Sequence, residues 1–445
     1  MVEGIASART ARRRRPKRYL AGARFNQVTG RGGTRVALVL AGALTAMWAA
    51  PALAASGDLD ATFGGDGKVV THFEGGGSAG GVAIQADGKV VAAGSTGGRF
   101  AVARYGKDGT PDASFGGDGT VTTDFTTGAD EAFAVAIQGN GKIVVAGVAG
   151  DRIVGEVRGG RFALARYNPT GTPDATFGGD GRVTTNFTDG FDSANGVAIQ
   201  GNGKIVAAGG ASGSRFALAR YDRDGTLDSF FSGDGKVTTS LPQRVGGQAY
   251  GVAIQGDGKI VAAGVRDFYG FALARYHRNG ALDHTFSGDG RVVTTVGWGE
   301  EAAKSVAIQA DEKIVAAGYT DVPHEAGDAY GPGRFALARY RADGTLDPAF
   351  GGDGTVTTRF GASGSSANAV AIDHSGRIVA AGSGHGGFAL ARYEHDGTLD
   401  TTFGGDGRVT TRFTAGVASG VAVQVNERIV AVGSSAAGFA LARYL

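Results

Sequence analysis

Short runs of alternating apolar and polar residues recur along most of the chain, and the segment 177–231 shows them clearly. Its runs lie at 183–187, 196–200, 204–209 and 216–221. Each is rich in β-branched or aromatic residues and is bounded by Gly, Asp or Asn, which is typical of β-strands. No stretch after residue 55 sustains a 3.6-residue period, so the pattern predicts strands and no helix.

Turn residues separate these runs. The pairs that permit the positive φ angles of tight antiparallel hairpins are Asp87-Gly88, Asn140-Gly141, Asn202-Gly203 and Asp257-Gly258. Glu312 and Glu427 stand in place of this glycine in two repeats. We therefore expect those two hairpins to be strained or of another type.

The whole pattern recurs seven times. A phrase close to Leu-Asp-x-x-Phe-x-Gly-Asp-Gly has its Phe at Phe63, Phe115, Phe177, Phe231, Phe286, Phe350 and Phe403, spaced 52 to 64 residues apart. A second phrase, close to Phe-Ala-Leu-Ala-Arg-Tyr, ends at Tyr105, Tyr167, Tyr221, Tyr276, Tyr340, Tyr393 and Tyr444. Four antiparallel strands repeated seven times predict an all-β fold, a seven-bladed β-propeller. An open β-solenoid is the alternative, but its terminal repeats are usually atypical, whereas here they match the middle ones.

The phase of the repeat at the two chain ends predicts how the ring closes. The small residues of the Gly-Val-Ala-Ile-Gln strand suit the crowded position nearest the propeller axis. If that strand is innermost, the last blade lacks its outer strand. Residues 68–73 then supply it by pairing with residues 439–444.

The repeat resembles a known bacterial family. Its Asp-Gly-Lys-Ile-Val-Ala-Ala-Gly core and its Phe-Ala-Leu-Ala-Arg-Tyr-x-x-Asp-Gly-Thr-Leu-Asp-x-x-Phe-Gly tail are similar to the delta-60 repeat, over roughly residues 57–445. The resemblance implies a β-propeller of unknown function that is often secreted. It implies no catalytic residues.

Residues 1–54 differ in composition from the rest. Ten Lys and Arg residues precede or flank the start of an apolar run at 36–54, which ends in Ala52-Leu53-Ala54. A basic region, an apolar run and a small-x-small end predict a signal peptide that is cleaved after Ala54, leaving one propeller domain at 55–445. The run is 19 residues long, so a membrane anchor is the alternative. The Arg-Arg pairs leave open whether export uses the general or the twin-arginine route.

Removal of that leader changes the charge of the protein. The leader carries a net +9, so the +2 of the whole chain becomes −7 for residues 55–445. An acidic surface disfavours nucleic acid and anionic lipid as partners. The chain has no Cys, which excludes disulfides and thiol chemistry. We expect a secreted or cell-surface monomer without membrane insertion after cleavage.

The Asp-rich connections offer a candidate metal site. Asp108, Asp112 and Asp118 lie on one Gly-rich loop and could together bind Ca²⁺. The alternative is that Asp108 and Asp118 form Asx turns while Asp112 pairs with a strand arginine such as Arg104. Seven near-identical copies favour architecture, so we expect no cofactor, with calcium as the alternative.

Other chemical motifs carry little weight. The arginine of each Arg-Tyr pair is interpreted as a clamp between structural elements, since half-buried arginines are normally paired. Residues 76–80 match G-x-S-x-G but lack the strand-to-helix elbow that gives the motif its meaning. The seven His residues lack metal-ligand spacing.

The positions at which the repeats differ carry the functional prediction. One connection within a blade is lengthened at 148–161 and another at 319–334, three blades apart on one face. Inserted loops of repeat proteins often form the binding face. The connections from one blade to the next lie on the same face and also vary. The candidate ligand-binding residues are Phe133, Tyr250, Trp298 and Lys304 in those connections, and Arg152, Arg158, Tyr319, His324 and Tyr330 in the two lengthened ones.

Three functional hypotheses remain open from the sequence. The first is an extracellular binding or scaffold module that recognises a glycan, a peptide or a cell-surface component. The second is an extracellular hydrolase or lyase, for which the sequence offers Asp321, His324, Glu325 and Asp328 as acid–base candidates. The third is a purely structural cell-surface protein.

Overall fold

The computed structural model describes residues 54–153, 156–212, 215–241, 246–267, 269–297, 299–321 and 333–445. All of its regular elements are strands. Among these described residues, no helix is long and apolar enough to cross a membrane. The predicted signal peptide lies, except for Ala54, outside the described residues and stays a prediction.

The 28 strands group into seven four-stranded units, which we call blades 1 to 7. Blade 1 contains β2 (Ser78–Ile84), β3 (Val90–Thr96), β4 (Arg99–Tyr105) and β5 (Thr120–Thr123). Blade 2 contains β6 (Glu131–Ile137), β7 (Ile143–Ile153), β8 (Glu156–Tyr167) and β9 (Arg182–Thr185). Blade 3 contains β10 (Ser193–Ile199), β11 (Ile205–Ala211), β12 (Arg215–Tyr221) and β13 (Lys236–Thr239). Blade 4 contains β14 (Gln248–Ile254), β15 (Ile260–Val265), β16 (Phe271–Tyr276) and β17 (Arg291–Thr294).

The remaining blades follow the same plan. Blade 5 contains β18 (Glu301–Ile308), β19 (Ile314–Thr320), β20 (Arg334–Tyr340) and β21 (Thr355–Thr358). Blade 6 contains β22 (Ser366–Ile372), β23 (Ile378–Gly384), β24 (Gly387–Tyr393) and β25 (Arg408–Thr411). Blade 7 contains β26 (Val417–Val423), β27 (Ile429–Ser435), β28 (Gly438–Tyr444) and the first strand of the chain, β1 (Lys68–Thr71).

Each blade is an antiparallel ladder in chain order, as in β10–β11–β12–β13. In blade 7 the order is completed from the other end of the chain, because β1 pairs with β28 from Lys68↔Ala442 to Thr71↔Phe439. This is the pairing expected from the phase of the repeat, over four residues instead of six. The molecule is therefore an all-β propeller built of seven four-stranded units.

The hydrophobic core lies between blades. Every residue of β11 is buried, because both faces of its sheet are covered by neighbouring sheets. Seven apolar clusters are each shared by two successive blades, and one of them joins blade 7 to blade 1. Burial of such apolar surface is the main stabilising contribution to the fold.

Hydrogen bonds between side chains also connect successive blades. The hydroxyl of Tyr221 donates to Oγ1 of Thr185 on the outer strand of the preceding blade, at 2.8 Å. The same contact recurs at 2.6–2.8 Å for all seven tyrosines. Burial raises the pKa of Tyr167 to about 12, so this phenol stays neutral at ordinary pH.

Two faces of the propeller differ in character. The Asp-Gly face carries the hairpins after the innermost strands, such as 85–89, and the Asp-rich connections, such as 106–119. Glu312 and Glu427 on this face have φ values of 66° and 65°, so the strain expected there is confirmed. The variable face carries the hairpins between second and third strands and the connections between blades.

Candidate functional site

A β-bulge interrupts the innermost strand of every blade at the same place. In blade 4, Ala249 pairs with Gly264 and Gly251 pairs with Ala263, so Tyr250 between them is left out of the ladder. The seven bulge residues are Gly80, Phe133, Asn195, Tyr250, Lys304, Asn368 and Ser419. Bulges redirect a side chain and are frequent next to binding sites.

All seven bulge residues line one open cavity of about 490 Å³ around the propeller axis. Its wall is completed by the two residues that follow each bulge, which are Gly, Ala, Ser or Val. We call this cavity the axial mouth. It opens on the variable face, because the bulges lie near the beginning of strands that start on that face.

Three predicted site residues, Phe133, Tyr250 and Lys304, meet at the axial mouth. Their assignment to the connections between blades was wrong, since they lie within β6, β14 and β18. The extra residue of the bulge breaks the period of two, so the regular alternation in the sequence begins only after it.

Sequence reasoning missed the amides of Asn195 and Asn368, which line the same cavity. A signal was present. Each bulge residue occupies the x of Ala-x-(Gly, Ala or Ser)-Val, and this is the position of the innermost strand that varies most in size and chemistry between repeats. Gly80 is confined by its neighbours, because a Cβ there would lie 2.9 Å from Cα of Phe133.

Lys304 is held by aromatic rings. Its ammonium lies 3.7 Å from the ring centroid of Tyr250 and 5.7 Å from that of Tyr319. Within the described part of the chain, no carboxylate lies within 4.0 Å of this ammonium. Cation–π contacts fix the position of the charge without neutralising it.

The polar groups beside Lys304 are also fixed. Nε2 of Gln248 donates to the hydroxyl of Tyr250 at 2.5 Å. Nδ2 of Asn195 donates to the carbonyl of Ala249 at 2.8 Å, and Nδ2 of Asn368 does the same to the carbonyl of Ala418. The two asparagine contacts join neighbouring blades, and all three contacts preorganise the site.

Two carboxylates lie near Tyr319 but do not line the axial mouth. Burial, followed by the charge of Glu300, raises the pKa of Asp321. The same two causes, with further contributions from Tyr250 and Asp321, raise the pKa of Tyr319. Tyr319, the predicted site residue near the end of β19, therefore contacts Lys304 with its ring and is also close enough to Glu300 and Asp321 to sense their charge.

The long connection at 148–161 was predicted to be a loop, and this was wrong. It extends β7 and β8 beyond the ladder of the other blades, to Arg152↔Val157 and Ile153↔Glu156. Arg152 and Arg158 therefore belong to strands β7 and β8 of a lengthened hairpin. Trp298, His324 and Tyr330 lie outside the described residues, as do Glu325 and Asp328.

Buried carboxylates anchor the bases of both lengthened connections. Asp130 is fully buried and accepts hydrogen bonds from the backbone amides of Phe125, Thr126 and Gly150 at 2.7–3.3 Å. In blade 5, the equally buried Glu301 accepts from the amide of Val296 and from Thr320 Oγ1. On the variable face, the backbone at the base of each lengthened connection is thus held in place by a buried carboxylate.

The arginines of the Arg-Tyr pairs form a repeated clamp, as expected. In blade 3, Nε of Arg220 donates to Oδ2 of Asp228 at 2.6 Å, and the guanidinium lies 4.8 Å from the ring centroid of Phe231. Another guanidinium nitrogen donates to the carbonyl of Arg278 in the next blade. All seven copies pair an arginine with an aspartate at 2.6–2.9 Å.

The clamp keeps its aspartates ionised. Burial raises the pKa of Asp228, but hydrogen bonds from Lys204 and the Phe230 amide and the charge of Arg220 outweigh it, so the pKa is lowered. Among the seven clamp aspartates the net direction is the same in every blade. These carboxylates serve packing between blades.

The other aspartates of these loops form turns. Oδ1 of Asp108 accepts from the amide of Thr110 at 3.1 Å, and Oδ1 of Asp118 accepts from the amide of Thr120 at 2.7 Å. Within the described ranges, no group of three or more His, Asp or Glu side chains is arranged to hold a metal ion. Calcium binding by the loops stays a prediction.

The comparisons with known proteins agree with this architecture. A family model described as "Domain of unknown function (DUF5122) beta-propeller" matches residues 85–115, 138–177, 200–231, 255–286, 326–350 and 375–403. The match supports a β-propeller repeat family of unknown function. The more specific delta-60 resemblance stays a prediction.

No curated protein matches the chain. Among solved structures, a streptogramin B lyase is 10% identical, with a TM-score of 0.53 over 85% of this chain and 97% of that one. Virginiamycin B lyase from Staphylococcus aureus is 11% identical, with a TM-score of 0.51 over 85% and 98%. The WD40 propeller domain of Doa1 is 11% identical, with a TM-score of 0.50 over 85% and 95%. At these identities the likenesses show the fold alone.

Proposed function

We propose that this protein is a binding module that takes its ligand at the axial mouth. One observation carries the proposal: seven bulges, one per blade, turn seven otherwise unrelated residues toward one cavity. The rest of each innermost strand varies less between blades, so within these strands the bulge residues are where the ring departs most from its symmetry. Small-molecule sites are concave and combine aromatic surface with a few fixed polar groups, as the axial mouth does.

We infer that the seven blades form a closed ring, which such a site requires. The pairing of β1 with β28 supports closure. The hydroxyl contact between Tyr105 and Thr71 and the apolar cluster shared by blades 7 and 1 support it as well. A closed ring holds the seven bulges at fixed distances from one another, and rigid elements make precise sites.

We also propose that the protein acts outside the cytoplasm. The basic leader, the apolar run 36–54 and its Ala-Leu-Ala end support export. N-terminal sequencing of protein taken from the cell surface or the medium should begin at or near Ala55. Recovery of the uncleaved chain from the cytosol alone would contradict this.

Binding at the axial mouth is tested with an array of glycans and peptides. Ligands retained by the parent protein should be lost with Tyr250→Ala, because this substitution removes both the ring and the contact that holds Lys304. Tyr269→Ala is the matched control, since Tyr269 is an exposed tyrosine on the same face that does not line the cavity.

Equal retention by Tyr250→Ala and Tyr269→Ala would move the site away from the axial mouth. An array without any retained ligand would overturn the binding function and favour the purely structural role. Mass spectrometry of the retained ligands shows whether any of them has been cleaved. A cleaved product would overturn the binding module and support the hydrolase or lyase hypothesis.

A further inference from the structure

We propose that the ligand of the axial mouth is an acidic saccharide whose carboxylate binds at Lys304. This inference rests on the proposed function and specifies its ligand. Among the described residues that line the cavity, Lys304 is the one charged side chain, and none is acidic. A cavity with a single uncompensated cation favours an anion.

The side chains of the cavity wall keep several hydrogen-bond donors that a ligand can use. Asn195 and Asn368 each use one N–H on a backbone carbonyl, and their Oδ1 atoms lie 3.1 Å and 3.2 Å from the hydroxyls of Ser193 and Ser366. One N–H of each amide is left for a ligand. The Tyr250 hydroxyl accepts from Gln248, so its own hydrogen is also available to donate.

Two of these donors belong to the blades that flank Lys304. Tyr250 belongs to blade 4 and Asn368 to blade 6, on either side of Lys304 in blade 5. A carboxylate accepts several hydrogen bonds at once and has no proton to donate at neutral pH. Charge-assisted hydrogen bonds are also the stronger kind.

The aromatic residues favour a saccharide over an acidic peptide. Phe133 and Tyr250 are both half-buried at the cavity wall, so part of each ring is available for packing. The residues after the bulges are Gly, Ala, Ser and Val, so this part of the wall carries only small side chains and no charge that would select a peptide side chain. The bulge also interrupts the ladder of every innermost strand, which disfavours the strand addition by which peptides commonly bind sheets.

The test measures affinity by isothermal titration calorimetry on the full propeller. The acidic probes are trigalacturonate, trimannuronate and a hyaluronan tetrasaccharide, and the comparison probes are maltotriose and triglutamate. At least one acidic saccharide should bind, while maltotriose and triglutamate should bind at least tenfold more weakly. The affinity for the acidic saccharide should decrease when the NaCl concentration is raised from about 0.05 M to about 0.5 M, as expected for an ion pair.

Substitutions locate the carboxylate. Lys304→Gln should weaken binding of the acidic saccharide by about 10-fold to 100-fold, the effect of losing a charged hydrogen bond. Lys304→Arg should restore most of the affinity. Lys107→Gln is the control, because Lys107 is an exposed lysine on the opposite face.

Each contrary result has a distinct meaning. Absence of binding by all three acidic saccharides overturns this inference, as does an unchanged affinity in Lys304→Gln. Preference for triglutamate assigns the site to an acidic peptide instead. If the ligands retained on the array are neutral and Tyr250→Ala loses them, the proposed binding function stands and only the acidic saccharide is rejected.

Discussion

At the scale of single residues, the clamp arginine explains why so much of the repeat is invariant. Arg220 needs an aspartate eight positions on, an aromatic ring beneath its guanidinium and a carbonyl from the next blade. The arginine is part of the Arg-Tyr phrase, and the aspartate and the aromatic ring are the Asp and Phe of the Asp-x-x-Phe phrase. Repetition of the phrases therefore reflects contact between blades and carries no information about a ligand.

Arg220→Ala should lower the free energy of unfolding by about 3–5 kcal/mol, because it breaks a buried ion pair with Asp228 and removes the guanidinium contacts with Phe231 and the Arg278 carbonyl. Arg223→Ala, which removes an exposed arginine nearby, should change it by less than about 0.5 kcal/mol. Denaturant titration measures both. Unchanged stability in Arg220→Ala, accompanied by lost ligand binding, would show that the arginine serves a ligand instead.

The clamp aspartates should also make stability depend on acid. Their pKa values are lower in the folded protein than in the unfolded chain, so their contribution is complete above the unfolded value of about 3.9. It is lost as pH falls toward the folded values. The free energy of unfolding should therefore drop steeply between about pH 4 and pH 2, and Asp228→Asn should reduce the steepness. A flat profile over this range would contradict the clamp.

At the scale of elements, the strands and the Asp-Gly hairpins follow from the sequence, and the bulges do not. Alternation identifies a strand by its two faces, but a bulge inserts one residue that belongs to neither face. Phe133, Tyr250 and Lys304 were found because they are large where other repeats have small residues. Asn195 and Asn368 were missed because their fit to the site depends on hydrogen bonds to the next blade.

The anchored base of the blade 2 hairpin gives an element-scale prediction. Asp130→Ala leaves the amides of Phe125, Thr126 and Gly150 without their buried acceptor, at a cost of about 1–3 kcal/mol. Hydrogen exchange at these amides should become faster, while exchange in blades 4 to 6 should not change. Asp189→Ala, at an exposed aspartate of the following connection, is the control. Equal exchange in both variants would show that Asp130 does not hold the hairpin.

At the scale of the whole molecule, the two ends of the chain stabilise each other. Residues 55–75 contribute β1, and they also contribute Asp60 and Phe63, which complete the clamp of Arg443 in blade 7. The pairing could be predicted from the phase of the repeat alone, because β1 continues a pattern that ends one strand short.

Deletion of residues 1–75 should therefore expose the edge of β28 and cause aggregation or a large loss of stability. Deletion of residues 1–54 is the matched control and should leave unfolding unchanged. Size-exclusion chromatography and thermal unfolding distinguish the two truncated proteins. If both unfold at the same temperature as monomers, β1 is not needed to complete blade 7.

The pairing of β1 with β28 also sets an order in time. Lys68 is synthesised about 370 residues before its partner Ala442, which at roughly 5–20 residues per second is a delay of about 20–75 s. Blades 1 to 6 contain all their own strands and can assemble during that interval. Blade 7 cannot, so whether the chain folds during synthesis or after export, its completion has to wait until both ends of the chain are present.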